Sequence, residues 1–316
     1  MEQPILHASM KWRDWIQASR PRTLPLASAC VMVGGAVAYK SIPVAETSQF
    51  WLPFVWILTT VLMLQVLSNW ANDLGDFENG ADDKTREDRA VASGRISTRS
   101  MKRAVIVLGG LTFAAGIGAV VFSLWESGDL RMVLLMIGLG VAAIAAAYRY
   151  TAGKNPYGYK GWGDAMVFLF FGWIGVLGSA YLLSQVWSWW WFFPATWTGC
   201  MSVLVLNLNN MRDQASDAAS GKRTLVVAWG WSRAKFYHVV LFAVGWLSWW
   251  IFALYLDAGS WRGAGWIALI NLVQLAHVRR VLSCEEPKLL DGELKKVALT
   301  TAVAALFFLL AQTGLR

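Results

Sequence analysis

Asn69-Trp70-Ala71-Asn72-Asp73-Leu74-Gly75-Asp76 and its counterpart Asn209-Asn210-Met211-Arg212-Asp213-Gln214-Ala215-Ser216-Asp217 decide how this chain is read. Each closes a long apolar run and opens a polar, basic stretch. At about 100° per residue, Asn69, Asn72, Asp73 and Asp76 fall within about 100° of one helical face, and Asn209, Asp213 and Asp217 within about 80°. Carboxylates at the end of a membrane helix are costly unless they pair, bind cations or face water. Two clusters, each with two Asp and an Asn four residues before the first, predict one oxygen-rich site for a hard cation. Magnesium on a substrate diphosphate fits that site, because the ion takes few carboxylates and completes its shell with phosphate and water.

The chain outside the clusters supports a membrane setting. Of 316 residues, 56% are hydrophobic and 20 are Trp, a composition that excludes an ordinary soluble fold. Nine apolar runs near bilayer-spanning length are expected at 22–39, 52–72, 103–124, 130–150, 164–183, 189–211, 235–256, 262–282 and 296–313. A formal charge of +8 would suit nucleic acid, but its placement argues against that partner. With the N-terminus inside, 24 of the 28 Lys and Arg fall on cytoplasmic segments, leaving Lys40, Arg131, Arg262 and Arg316 outside. Both carboxylate clusters then face the cytoplasm. Met1–Thr23 lacks the apolar core of a cleaved signal. Trp12, Trp15 and Ile16 beside Lys11, Arg13 and Arg20 are consistent with an interfacial segment over 1–21, with a disordered tail as the alternative. Cys30, Cys200 and Cys284 form no disulfide or zinc pattern, and His7, His238 and His277 stand apart in sequence.

Cationic or aromatic stretches follow the spans at the carboxylate side. Arg20-Pro21-Arg22 precedes the first span; snorkelling to headgroups competes with a role for Arg22 against diphosphate. The segment 73–102 is the longest polar stretch and is expected to form a lid-like loop. Tyr148 to Asp164 is rich in Gly and aromatic residues, with Asp164 as either an N-cap or a substrate contact. Lys222 and Arg223 follow Asp217 closely enough to neutralise a leaving diphosphate or simply to pair on the surface. The 140-position spacing of Asn69-x-x-x-Asp73 and Asn209-x-x-x-Asp213 suggests an internal duplication whose halves converge on one cavity. An anion-binding mouth on an apolar body matches a polyprenyl diphosphate, with its tail in the bilayer and its head at the metal site.

Read together, the clusters, Arg20-Pro21-Arg22-Thr23-Leu24-Pro25-Leu26-Ala27, Pro156-Tyr157-Gly158-Tyr159-Lys160-Gly161-Trp162-Gly163-Asp164 and Gly221-Lys222-Arg223-Thr224-Leu225-Val226-Val227 resemble the UbiA superfamily of intramembrane prenyltransferases. The paired Tyr resemble its menaquinone branch, the 1,4-dihydroxy-2-naphthoate polyprenyltransferases, more than enzymes of 4-hydroxybenzoate. The resemblance implies an all-α membrane protein, one polytopic domain over 1–316 with nine transmembrane helices around a central cavity. It implies Mg2+-dependent transfer of a polyprenyl chain to 1,4-dihydroxy-2-naphthoate with decarboxylation, at a bacterial inner membrane. Asp73, Asp76, Asp213 and Asp217 would hold magnesium with Asn69 and Asn209 in support. Arg22, Arg86, Arg89 and Lys222 would face the diphosphate, and Tyr157, Tyr159 and Asp164 the acceptor. Gly80 stands where the broader family often carries a third acid, with Asp82 and Asp83 nearby. Two rivals fit less well. A CDP-alcohol phosphatidyltransferase wants Gly where Phe77 follows Asp76. A cation-coupled transporter would place its acids nearer mid-membrane.

Overall fold

In hydrocarbon a chain must satisfy its backbone polar groups internally, so uninterrupted apolar runs of this length become helices. A computed structural model describes residues 12–82, 89–256 and 261–314, and the regular elements among them are all helical. A short α1, Trp12–Ala18, precedes the long helices α2, Leu24–Ser41; α3, Trp51–Glu78; α4, Thr98–Leu124; and α5, Leu130–Arg149. Then come α6, Gly163–Ser184, and α7, Phe192–Arg212. Two short helices, α8, Gln214–Ala219, and α9, Leu225–Trp229, lead to the long α10, Trp231–Leu256, α11, Trp261–Ser283, and α12, Leu290–Thr313. Each expected span coincides with one long helix. Eight of the nine, all but α11, are long and apolar enough among the described residues to cross a membrane. Exposed Ile106, Val107, Leu111, Leu134 and Leu135 on α4 and α5 belong against lipid. This is an integral membrane protein.

Several boundaries differ from expectation. Helix α3 continues to Glu78 and α4 begins at Thr98, so the expected loop over 73–102 contracts to 79–97. Of that loop, residues 83–88, including Arg86 and Asp83, lie outside the described residues. At the other end of the bundle Trp187 and Trp189 are exposed, whereas Trp191 is buried and packs into the core.

Helix α6 packs closely against both α2 and α7. A Cβ at Gly34 of α2 would meet Val176 O of α6 at 2.6 Å, and one at Gly172 of α6 would meet Ala195 O of α7 at 2.8 Å. Small residues let membrane helices approach this closely, where dispersion replaces the absent hydrophobic drive. Within α6, Phe168–Ile174 widens to a π-helix, a register change often found at functional sites. It presents Phe170, Phe171 and Ile174 to the interior space.

The three C-terminal long helices pack outside that space and bring together two histidines distant in sequence. His238 Nε2 lies 3.0 Å from His277 Nε2, and His277 Nδ1 lies 2.7 Å from Glu293 Oε2. Lys296 Nζ donates to Glu293 Oε1 at 2.5 Å. This buried chain ties α10, α11 and α12 to each other. His7 lies outside the described residues.

Candidate active site

A cavity of about 350 Å³ is enclosed by the six long helices from α2 through α7. Its body is apolar, walled by residues such as Leu26, Ile57, Phe113, Met136, Ile144 and Phe171. From Asp76 to Ile57 along α3 is nineteen residues, about 28 Å at 1.5 Å per residue, close to a bilayer's hydrocarbon thickness. The mouth is charged. Asp76, Asp213 and Asp217 line it together with Arg20, Arg22, Arg89, Arg212 and Lys222.

Asp76 is the most enclosed of these acids, at 1% exposure. Tyr159 Oη donates to its Oδ1 at 2.9 Å, Lys222 Nζ stands 3.7 Å from the same oxygen, and Arg89 Nη2 is 3.9 Å from Oδ2. The Asn72 amide presents an atom 2.9 Å from Asp76 Oδ2; set as nitrogen it donates there, while its oxygen accepts from Arg20 Nη1 at 3.0 Å. Arg20 reaches this point because its backbone is left-handed, with φ 47°, an uncommon and strained setting for a residue with a side chain. Its Nη2 is buried without a hydrogen-bond partner.

The second cluster forms where α7 breaks at Asp213 and restarts as α8. Arg212 grips Asp213 through both carboxylate oxygens, at 2.9 and 2.8 Å, and its third donor reaches Asp291 at 2.7 Å. Lys222 Nζ lies 3.7 Å from Asp217 Oδ1 and so stands between the two clusters. Burial alone would lower the Lys222 ammonium, but Asp76, Asp217 and Asp213 outweigh it and hold the group above the ordinary lysine value. Asn209 lines the cavity with a buried Oδ1 that has no partner.

Two loops hold this arrangement in place. The backbone of Thr151 presses on α3 so closely that a Cβ at Gly75 would meet Thr151 O at 2.6 Å. Asn79 Nδ2 donates to that carbonyl at 2.8 Å. Arg223 N donates to Tyr159 O at 3.0 Å, which joins the Lys222 loop to the Tyr loop. Burial, followed by the charge of Asp76, pushes the Tyr159 phenol well above the usual range, so it stays a donor.

The structure redistributes several expected roles. Asp73 turns away from the cavity, its Oδ2 accepting from Ala90 N at 3.1 Å and Val91 N at 3.3 Å. Asn69 lines the cavity, but its amide is committed: Nδ2 donates to Ser19 O and Thr23 Oγ1, and Oδ1 accepts from Gln65. Asn72 and Arg20, rather than Asn69 and Arg22, are the residues linked to Asp76 at the mouth. Arg22, half-exposed at the rim, pairs with Asp291 at 2.8 Å. Tyr157 does line the cavity and donates to Ala146 O at 2.9 Å, whereas Tyr159 serves Asp76 and lies off the cavity wall. Asp164 is likewise off the wall, hydrogen-bonded to Tyr237. Asn72 carried one signal in sequence: Asn72-x-x-x-Asp76 repeats the Asn209-x-x-x-Asp213 spacing as well as Asn69-x-x-x-Asp73 does.

An apolar channel with acids and cations at one end defines a site for an amphiphile with a polyanionic head. The UbiA prenyltransferase family matches residues 27–289, and the chain belongs to that family. It is 34% identical to the 1,4-dihydroxy-2-naphthoate octaprenyltransferase of Haemophilus influenzae, over 94% of this chain and 95% of that one. It is 35% identical to the protein of the same description from Escherichia coli, over 94% and 96%. A UbiA homolog from Archaeoglobus fulgidus, solved with DMAPP and Mg2+, shares the fold with a TM-score of 0.56 at 17% identity, over 90% of this chain and 98% of that one.

Proposed function

We propose that this protein catalyses Mg2+-dependent transfer of a polyprenyl group from polyprenyl diphosphate to 1,4-dihydroxy-2-naphthoate, with release of diphosphate and of the acceptor's carboxylate as CO2, giving demethylmenaquinol, the reduced form of demethylmenaquinone. The observation that carries the reading is the convergence of Asp76, Asp213 and Asp217 with Arg20, Arg89 and Lys222 at the mouth of a membrane-deep apolar cavity. The two curated relatives support the choice of acceptor. The excess of Lys and Arg on one side supports a cytoplasmic mouth in a bacterial inner membrane.

The residues present suit magnesium. Their donors are oxygens, the preference of a hard cation. The 2.9 Å between the Asn72 amide and Asp76 Oδ2 is a hydrogen bond if nitrogen faces the acid. With oxygen facing it, the same spacing matches an edge of an octahedron with bonds of about 2.0–2.1 Å. Among the described residues no three His, Cys, Asp or Glu side chains stand close enough to hold a metal alone. A diphosphate would complete the shell. Asn72 and Asp76 would hold one ion, and Asp213 and Asp217, with Asn209 beside them, another. Bound there, magnesium would withdraw charge from the diphosphate and ease rupture of the allylic C–O bond.

The chain's own groups do the rest. Arg20, Arg89 and Lys222 neutralise the departing diphosphate, and Lys222 keeps its proton because four carboxylates, Asp76 foremost, act on it. Tyr159 fixes the Asp76 carboxylate. The apolar wall excludes water from the allylic cation, and the aromatic faces of Phe170 and Phe171 line its surroundings. Tyr157, on the same wall, is the group placed to meet the acceptor.

The test is direct. Purified protein receives Mg2+, a prenyl diphosphate and either 1,4-dihydroxy-2-naphthoate or 4-hydroxybenzoate, and products are identified by mass. A decarboxylated prenyl naphthalenediol, formed only with the naphthoate and abolished by chelator, is expected. Turnover of 4-hydroxybenzoate alone, or turnover persisting in excess chelator, would overturn the reading.

A further inference from the structure

Asp73 is an acid and only 2% exposed, yet it does not reach the cavity on which the proposed function rests. Helical geometry explains its direction: it sits about 60° around α3 from Asp76 and about 100° from Asn72. On that side lies the returning loop. Ala90, Val91 and Ile96 are buried there against Leu67 and Leu74 of α3 and Met101 of α4. Packing seats these side chains but leaves two backbone N–H groups facing a helix whose own carbonyls are engaged, and buried donors need an acceptor. Asp73 Oδ2 accepts both.

The next residue back is Arg89. Its Nε lies 3.2 Å from Asp82 Oδ2, and its Nη2 3.9 Å from Asp76 Oδ2. Asp82 in turn is fixed by its own N–H, which donates to Asp76 O at 3.2 Å. Arg89 is thus held between an ion pair on one side and a loop tied to Asp73 on the other. We infer that Asp73 is a positioning residue rather than a metal ligand: it anchors the loop at Ala90 and Val91 and thereby aims Arg89 at the diphosphate. This rests on the proposed prenyl-transfer reading and assigns the first acid of the motif a separate task within it.

The test compares D73N, D73A, D76N, R89A and the D73A/R89A pair in purified full-length protein. Asn keeps an oxygen for the two N–H groups, so D73N should stay within about threefold of the parent, with unchanged Mg2+ dependence. D73A should raise KM for prenyl diphosphate about tenfold while leaving the Mg2+ concentration for half-activation alone. Adding R89A to D73A should cost far less than the two separate losses combined. Hydrogen exchange of residues 89–96 should accelerate in D73A and stay near parental in D73N and D76N. An inactive D73N, or one needing much more Mg2+, would make Asp73 a metal ligand and overturn the inference. Additive D73A and R89A effects, or slow exchange in D73A, would overturn it too. Should D73A not fold, D73N still decides between ligand and anchor. The exchange measurement needs no turnover, so a failure of the functional reading remains distinguishable from a failure of the anchor.

Discussion

The two carboxylate clusters have similar spacing and different construction. In the first, Asn72 and Asp76 lie on an unbroken helix, and two loops press on them at Gly75 and Tyr159. In the second, the helix breaks at Asp213, whose carboxylate is gripped by the adjacent Arg212, while Asp217 rides on the short α8. Asp76 is all but sealed, whereas the Asp213 and Asp217 side chains keep 21% and 11% of their surface. A sealed acid with several partners is preorganised; an acid held by a local arginine exchanges that partner for a metal at lower cost. The first cluster therefore reads as the fixed half of the site and the second as the half that rearranges when diphosphate arrives.

That contrast can be broken by substitution. D76N should lower kcat by on the order of 10³-fold, since the remaining groups cannot replace a fixed charge. D213N and D217N should each cost about 10²-fold, measured under the same saturating conditions. A D213N loss exceeding that of D76N would reverse the assignment of fixed and adaptable halves. G75V should cost about 1–3 kcal/mol of stability in a detergent melt, because its side chain has only the Thr151 backbone to push against. Y159F removes one hydrogen bond to Asp76 and should raise the Mg2+ requirement by up to about tenfold. Smallest of all, D291N should change stability by less than about 1 kcal/mol, because Asp291, though paired with both Arg22 and Arg212, is itself well exposed at the rim.

How much of this was legible in the sequence follows physical lines. Hydropathy alone located the nine long helices, because a bilayer demands that length of apolar chain. Their ends were less visible: α3 carries Asp73, Asp76 and Glu78 as helix, since polar residues at the interface remain helical when loops pack on them. The choice between Asn69/Asp73 and Asn72/Asp76 could not be made from spacing, for both pairs are four apart and share a broad face. Packing decides it. The Ser19–Thr23 turn occupies the Asn69 amide and the 89–96 loop takes Asp73, which leaves Asn72 and Asp76 facing the cations at the mouth. Pairing Asn72 with Asn209 and Asp76 with Asp213 gives a spacing of 137 positions rather than 140. Arg20 reads in sequence only as an interfacial cation, for a local reason: its left-handed backbone sends it to Asn72 while Arg22 goes to the rim. The contact of His238 with His277 joins residues 39 positions apart, and no short motif announces it.

The central assignment is best tested by locating the metal itself. Protein prepared with Mn2+ and a non-hydrolysable prenyl diphosphate analogue would be examined by anomalous diffraction at the manganese edge. The account predicts metal peaks within bonding distance of Asn72 and Asp76 on one side and of Asp213 and Asp217 on the other. Peaks ligated by Asn69 and Asp73, or an analogue bound with its diphosphate remote from both clusters, would contradict it.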